Sequence, residues 1–119
     1  MKRDMELLRK MVLCIEDSPR GYAPHPIKIE GYADDKIGYH AYLLTDAGLT
    51  VGADTGASSG PEYVILNLTS AGHDFADACR NDTVWKKATG IVAEKAGTVT
   101  LDVFMQLLAN ILKQTIGLS

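Results

Sequence analysis

The feature that most constrains this chain is a helix that stops at a glycine and runs directly into a strand. Residues 38 to 52 read GYHAYLLTDAGLTVG. The apolar positions that give this segment its helical spacing are Ile37, Ala41 and Leu44. Asp34 is predicted to cap the start of a helix over residues 35–47, and Gly48 to supply the left-handed residue that ends it. The strand is expected to begin at Leu49.

A β-hairpin is predicted to follow this helix. Residues 63–68 form a strongly apolar strand, and the segment before them is rich in Gly, Ser, Ala and Asp. Such a composition cannot bury apolar surface, so residues 52–61 are interpreted as a flexible tip between two strands. A short strand at residues 27–30 is expected upstream, because Ile27-Lys28-Ile29-Glu30 alternates apolar with charged side chains.

The remaining segments are helical by their apolar spacing. Helices are predicted over residues 3–17, 72–80 and 101–116, with one more around Trp85 that ends at Gly97. The fold class is therefore α+β. Residues 1–72 are predicted to form one domain that includes the hairpin, and residues 73–119 to add C-terminal helices that pack on the same core.

The order helix, short strand, helix, hairpin, helix resembles a winged helix–turn–helix domain. The phrases YHAYLLTDAGLT (39–50) and LNLTSAGHDF (66–75) resemble a recognition helix entering its wing and the strand that returns from it. MKRDMELLRK (1–10), IEGY (29–32) and CRNDTVWKKA (79–88) extend the resemblance to small bacterial and phage proteins grouped as a domain of unknown function. YjcQ-type winged-helix proteins share a similar layout. The resemblance implies a winged-helix fold and no particular activity.

Nucleic-acid binding is the function that this layout first suggests, and the charge pattern disfavours it. The outward residues of the second helix that could read DNA are Lys36, Tyr39, Tyr42 and Thr45. However, the chain carries a net charge of −3, and from Glu30 to Asp82 two basic side chains stand against nine acidic ones, a net charge of −7. Because phosphate contacts supply much of the affinity for DNA, an interaction or adaptor module with a protein partner is the leading prediction. A sequence-specific transcriptional regulator of phage or bacterial origin is the alternative.

Catalysis, metal binding and cofactor binding have no sequence support. His25, His40 and His73 share no short ligand spacing, and neither a nucleophile elbow nor a phosphate-binding Gly-rich loop occurs. We therefore predict no enzyme activity, no metal and no cofactor. Cys14 and Cys79 are expected to be buried free thiols. The N-terminal residues lack a signal-like apolar run, so a cytoplasmic protein with no membrane segment is expected.

The last helix is apolar around most of its circumference, which indicates that much of it is covered. A homodimer is predicted to use the apolar residues Leu101, Phe104, Leu107, Leu108, Ile111 and Leu112. The alternative is packing within one chain, against Trp85, Val92 and the first helix.

Overall fold

The computed structural model describes residues 1–55, 63–95 and 97–117, and over these residues the protein is α+β. The elements are α1 (Met5–Glu16), α2 (Asp34–Asp46), β1 (Thr50–Asp54), β2 (Tyr63–Leu68), α3 (Ser70–Arg80), α4 (Asp82–Lys95) and α5 (Leu101–Thr115). The predicted fold class is confirmed at this level. Most of the predicted tip, from residue 56 to residue 61, lies outside the described residues.

The chain divides into two compact units, Met1–Ala76 and Asp77–Ser119. The first unit contains α1, α2, the hairpin and the beginning of α3, and the second contains the rest of α3 with α4 and α5. The predicted division into residues 1–72 and 73–119, with both parts on one core, stays a prediction.

Helix α1 supplies the largest apolar face of the first unit. It begins at Asp4, whose side chain accepts a hydrogen bond from the backbone N–H of Leu7 at 3.1 Å. Its buried side chains recur every three or four residues: Leu7, Leu8, Met11, Val12 and Ile15. The helix packs against α2 and β2, so this apolar stripe forms one side of the core of the first unit.

Helix α2 ends as predicted and begins differently. Gly48 has a φ of +78°, the left-handed conformation expected just past the helix end. The predicted N-cap, Asp34, is wrong: Ala33 occupies the cap position and makes no side-chain cap hydrogen bond. The Asp34 carboxylate lies in the first turn instead and accepts two 2.8 Å hydrogen bonds from Lys28 Nζ. The helix dipole also favours an acidic side chain in this turn.

The hairpin is antiparallel and contains a bulge. Thr50 lies opposite Leu68 and Val51 opposite Asn67, but Gly52 lies opposite Ile65. Leu66 therefore has no partner residue in the ladder, and its carbonyl accepts a 2.8 Å hydrogen bond from the backbone N–H of Ala23.

The strand predicted at residues 27–30 is wrong. Pro24 and Pro26 have no backbone N–H, so the segment cannot continue the pairing that Ala23 begins. The backbone N–H of Tyr32 donates to the carbonyl of Ile29 at 3.2 Å, which closes a turn where the predicted strand would have ended.

A close backbone approach joins the start of α3 to the segment that leads into β1. A Cβ on Gly72 would lie 1.9 Å from the carbonyl oxygen of Leu49, so only glycine fits. Thr69 closes the same corner, since its hydroxyl accepts from Gly72 N at 3.0 Å and donates to Gly48 O at 2.7 Å.

In the second unit, α4 packs against α5. The rings of Trp85 and Phe104 meet edge to face with centroids 5.2 Å apart. Gly97 follows α4 with a φ of +75°, and the Thr100 side chain caps α5 by accepting from Val103 N. None of the helices in the described ranges combines the length and the apolar character needed to cross a membrane.

Candidate interaction surface on α2

Lys36, the basic residue predicted to contact DNA phosphates, is engaged inside the first unit. Its Nζ lies 3.0 Å from Asp4 Oδ2 and 5.3 Å from the centre of the Tyr32 ring. Lys10 approaches the same ring at 5.4 Å. Any contact between Lys36 and a phosphate must therefore compete with an ion pair and a cation–π contact.

Asp4 and His40 connect α1 to α2 through a second contact beside this ion pair. His40 is fully buried, as expected for a histidine packed beside the helix core. Its Nδ1 donates to the carbonyl of Lys36 and its Nε2 accepts from the backbone N–H of Asp4, both at 2.8 Å. This arrangement requires the neutral ring, because a protonated Nε2 could not accept a hydrogen bond.

The pKa values of both groups follow from these contacts. Burial lowers the pKa of His40, although the hydrogen bond to the Lys36 carbonyl and the charge of Asp4 act in the opposite direction. For Asp4, burial acts to raise the pKa, but the other contacts act to lower it. The hydrogen bond from Lys36, the hydrogen bond from Leu7 N and the charge of Lys36 outweigh burial, so the pKa of Asp4 is lowered.

The outer face of α2 carries a row of side chains that we call the acid–tyrosine stripe: Asp35, Tyr39, Tyr42 and Asp46. The spacing of four, three and four residues places them along one face of the helix, over about 16 Å. The ring centroids of Tyr39 and Tyr42 are 5.9 Å apart, and the ring of Tyr63 on β2 lies 5.1 Å from that of Tyr42. The aromatic row thus extends from the helix onto the hairpin, and Tyr39 remains 39% exposed.

Thr45 does not belong to this stripe. Its hydroxyl lies 2.9 Å from that of Thr50 in a hydrogen bond to the hairpin, and Thr45 is half-buried. Of the four residues predicted to contact nucleic acid, the structure brings Tyr39 and Tyr42 together on one face and holds Lys36 and Thr45 in internal contacts. Whether any of the four binds nucleic acid stays a prediction.

A cavity of about 320 Å³ lies beside the stripe, and sequence reasoning missed it. We call it the α2–β2 cavity; it is lined by Pro24, His25, Pro26, Ile27, Lys28, Asp34, Ile37, Gly38, Ala41, Tyr63, Val64 and Ile65. The sequence signals that could have indicated it are the stiff Pro24-His25-Pro26 segment and a glycine at position 38 in the middle of a helix.

The predicted dimer residues on α5 fall into two groups. Leu101, Phe104, Leu108 and Ile111 are buried, whereas Leu107 and Leu112 are half-buried. Val103 and Ile116, which were not among the predicted residues, are 48% and 62% exposed. Val103 and Leu107 lie on one flank of the buried face, and Leu112 and Ile116 lie on the other. The homodimer stays a prediction.

The remaining histidine and cysteine residues do not assemble into a further site. His73 contacts Glu16 of α1, with 3.0 Å between Nδ1 and Oε2. Cys79 is buried as predicted, whereas Cys14 is only half-buried because it lies at the edge of the apolar stripe of α1. Within the described ranges, no three His, Cys, Asp or Glu side chains come together as metal ligands.

Two comparisons with known proteins identify relatives of this chain. An uncharacterized protein of Haemophilus influenzae is 29% identical over 118 residues, which is 98% of this chain and 100% of the relative. No solved structure matches the chain. A model of a family described as hypothetical protein DUF2513 matches residues 2–98. The chain therefore belongs to the DUF2513 family.

Proposed function

We propose that this protein is a non-enzymatic interaction module with a winged-helix layout, in which α2 contacts a protein partner instead of DNA. The observation that carries the proposal is the acid–tyrosine stripe on the exposed face of α2. The order of α2, hairpin and α3 supports the winged-helix part, as does the similarity of the layout to YjcQ-type proteins.

The charges around α2 suit a protein partner better than a nucleic acid. Asp35 and Asp46 stand at the two ends of the stripe, where they repel phosphates. Lys36, which could offset them, is paired with Asp4. Exposed tyrosines supply large rigid contact area to protein interfaces at a low cost in conformational entropy.

We further propose a cytoplasmic location and a homodimer. The free thiols of Cys14 and Cys79 favour a reducing compartment. Two apolar pairs flank the buried face of α5, Val103 with Leu107 on one side and Leu112 with Ile116 on the other, and they supply apolar surface to a second copy.

Sedimentation at increasing protein concentration tests the dimer. We expect Val103→Glu to shift the protein toward the monomer, because a charge would be buried at the interface. Gln106→Glu, an exposed change on the same helix, serves as the control. A wild-type protein that stays monomeric at high concentration contradicts the dimer.

Site-specific photocrosslinking in cells tests the protein partner. A photoreactive amino acid at position 39 is expected to capture a defined protein, and the same group at Lys86, an exposed position of α4, is expected not to capture it. In parallel, genomic DNA fragments are offered to the purified protein at low salt, followed by a salt titration.

Retention of specific DNA fragments that is lost in Tyr39→Glu and in Lys36→Glu would contradict the proposal and favour the transcriptional regulator. Failure of both experiments, with no protein captured from position 39, would also overturn it.

A further inference from the structure

We infer that the acid–tyrosine stripe and the α2–β2 cavity form one docking site for an arginine-containing peptide segment of a partner protein, with an aliphatic residue of that segment inserted in the cavity. This inference rests on the proposed function, since it names the chemistry of the partner.

The stripe and the cavity are continuous on the surface of the first unit. Tyr63 contacts Tyr42 of the stripe and also lines the cavity. On α2, Gly38 lines the cavity and lies one helical turn before Tyr42, on the same side of the helix. A single extended segment can therefore reach both features.

Gly38 is the feature that points to a ligand in the cavity. A glycine in the middle of a helix costs roughly 0.5–1 kcal/mol relative to alanine. Among the described residues nothing requires glycine here, because a Cβ at this position would meet none of their atoms within 4 Å and its φ lies outside the positive range. Gly38 also lines the cavity, so a larger side chain at this position would occupy the open space beside it.

The floor of the cavity suits an aliphatic side chain. Ile37, Ala41 and Ile65 are all at least 95% buried, and they present carbon atoms to the cavity. Its volume of about 320 Å³ is at the lower end of small-molecule sites, which matches one or two side chains better than a large cofactor. The polar rim at Lys28 and Asp34 is already joined by an ion pair.

The stripe suits arginine more than any other side chain. A guanidinium group is planar, stacks on tyrosine rings and forms two parallel hydrogen bonds with a carboxylate. Tyr39 and Tyr42 provide the rings, and Asp35 and Asp46 provide a carboxylate at each end. The net charge of −7 over residues Glu30 to Asp82, the segment that contains α2, further attracts a cationic segment and repels a nucleic acid.

A peptide-binding titration with the full chain tests this site. An extended segment needs about five residues to span the stripe, so a labelled peptide of about ten residues with alternating leucine and arginine is a suitable probe. We expect it to bind at least about tenfold more tightly than the same peptide with glutamate in place of arginine, or with serine in place of leucine. Fluorescence anisotropy at several salt concentrations measures these affinities.

Two matched glycine substitutions connect binding to the site. Gly38→Leu fills the cavity mouth and is expected to weaken binding by at least about tenfold. Gly90→Leu is the control, since Gly90 also lies within a helix, α4, and a Cβ added there would meet no atom of the described part of the chain within 4 Å. Both variants gain helix propensity and are expected to fold, and Gly90→Leu is expected to bind like the wild type.

The outcomes separate this inference from the proposed function. Equal binding of the glutamate peptide, or unchanged binding in Gly38→Leu, would overturn the docking site. If position 39 still captured a protein whose crosslinked segment lacks arginine, the docking inference would be wrong and the proposed function would stand. If neither peptide nor protein bound and DNA did, both would be wrong.

Discussion

The two units of this protein differ in their net charge and in the side chains that each one buries. Residues 1–76 carry seven basic and eleven acidic side chains, a net charge of −4, whereas residues 77–119 carry five and four, a net charge of +1. The polar side chains that are buried among the described residues, His40 and Thr50, both belong to the first unit. Both are hydrogen-bonded there, to Asp4 and to Thr45.

The unit that buries these polar side chains is also the one in which we propose the docking site. Burying polar groups requires matched partners and yields less stability than burying apolar ones. The first unit accepts this cost next to its tyrosines, since the ring of His40 lies edge to face with that of Tyr39. In the second unit, the contact between α4 and α5 is apolar, with Trp85 packed against Phe104.

Removal of an aromatic side chain from the second unit is expected to have the largest effect on stability, and it tests whether apolar packing dominates that unit. Phe104→Ala is expected to cost about 4 kcal/mol of unfolding free energy, because it leaves a cavity against Trp85. Urea unfolding followed by circular dichroism measures it, and Lys86→Ala, a change at an exposed position of α4, should stay within about 0.5 kcal/mol. A cost below about 1 kcal/mol for Phe104→Ala would mean that apolar packing does not dominate this unit.

Within the first unit, the close approach at Gly72 predicts the next largest effect. Gly72→Ala places a methyl group 1.9 Å from the Leu49 carbonyl oxygen, so backbone must move. We expect a loss of about 3 kcal/mol, measured by thermal and urea unfolding. Because Gly90→Ala adds a methyl group to open space, it should instead stabilise the protein slightly. Equal effects of the two substitutions would refute the close approach.

The two helix caps offer a direct comparison between the units. Asp4 caps α1 and pairs with Lys36, whereas Thr100 only caps α5. Asp4→Ala is expected to cost about 1.5 kcal/mol and Thr100→Ala about 1 kcal/mol, both by urea unfolding. Asp4→Asn keeps the cap and removes the charge, so it should fall between wild type and Asp4→Ala. If Thr100→Ala cost more than Asp4→Ala, the ion pair would contribute nothing.

Acid is expected to weaken the first unit through His40. Its pKa is lowered in the folded protein, mainly by burial, so below the ordinary value of 6.5 the unfolded chain takes up a proton that the folded chain does not. The contribution of His40 to the free energy of unfolding is therefore fully present above pH 6.5. It declines as the pH falls toward the pKa of the folded protein, by at most about 1.4 kcal/mol per pH unit. Asp4, with its lowered pKa, adds a loss only below its ordinary value of 3.8.

Urea unfolding at several pH values, with NMR titration of the His40 ring, measures this effect. His40→Gln removes the titrating ring and should flatten the decline between pH 6.5 and 4. A ring that titrates above pH 6.5 in the folded protein would contradict the network between Asp4 and His40.

Much of the fold could be predicted from the sequence because its signals are local. Helical spacing, the glycine stop at Gly48 and the strand over 63–68 each depend on neighbouring residues, and the structure has all three. The predicted strand at 27–30 was wrong, although apolar and charged side chains do alternate there. A strand also needs a partner, and the pairing that Ala23 begins with the distant Leu66 carbonyl cannot continue through Pro24 and Pro26.

The candidate site was predictable only in part for the same reason. Tyr39 and Tyr42 could be assigned to the outer face of α2 from their spacing alone. Two contacts of the site are distant in sequence. Lys36 pairs with Asp4, which is 32 positions away, and Tyr42 contacts Tyr63, which is 21 positions away. Periodicity within one helix contains no information about such contacts.

The aromatic residues also give the two units different spectroscopic signals. The single tryptophan, Trp85, belongs to the second unit, and all five tyrosines precede residue 77. Tryptophan fluorescence therefore reports on the second unit, while tyrosine absorbance reports on the first. Coincident transitions from the two chromophores would indicate one cooperative unfolding unit, and separated transitions would indicate two, with no label attached.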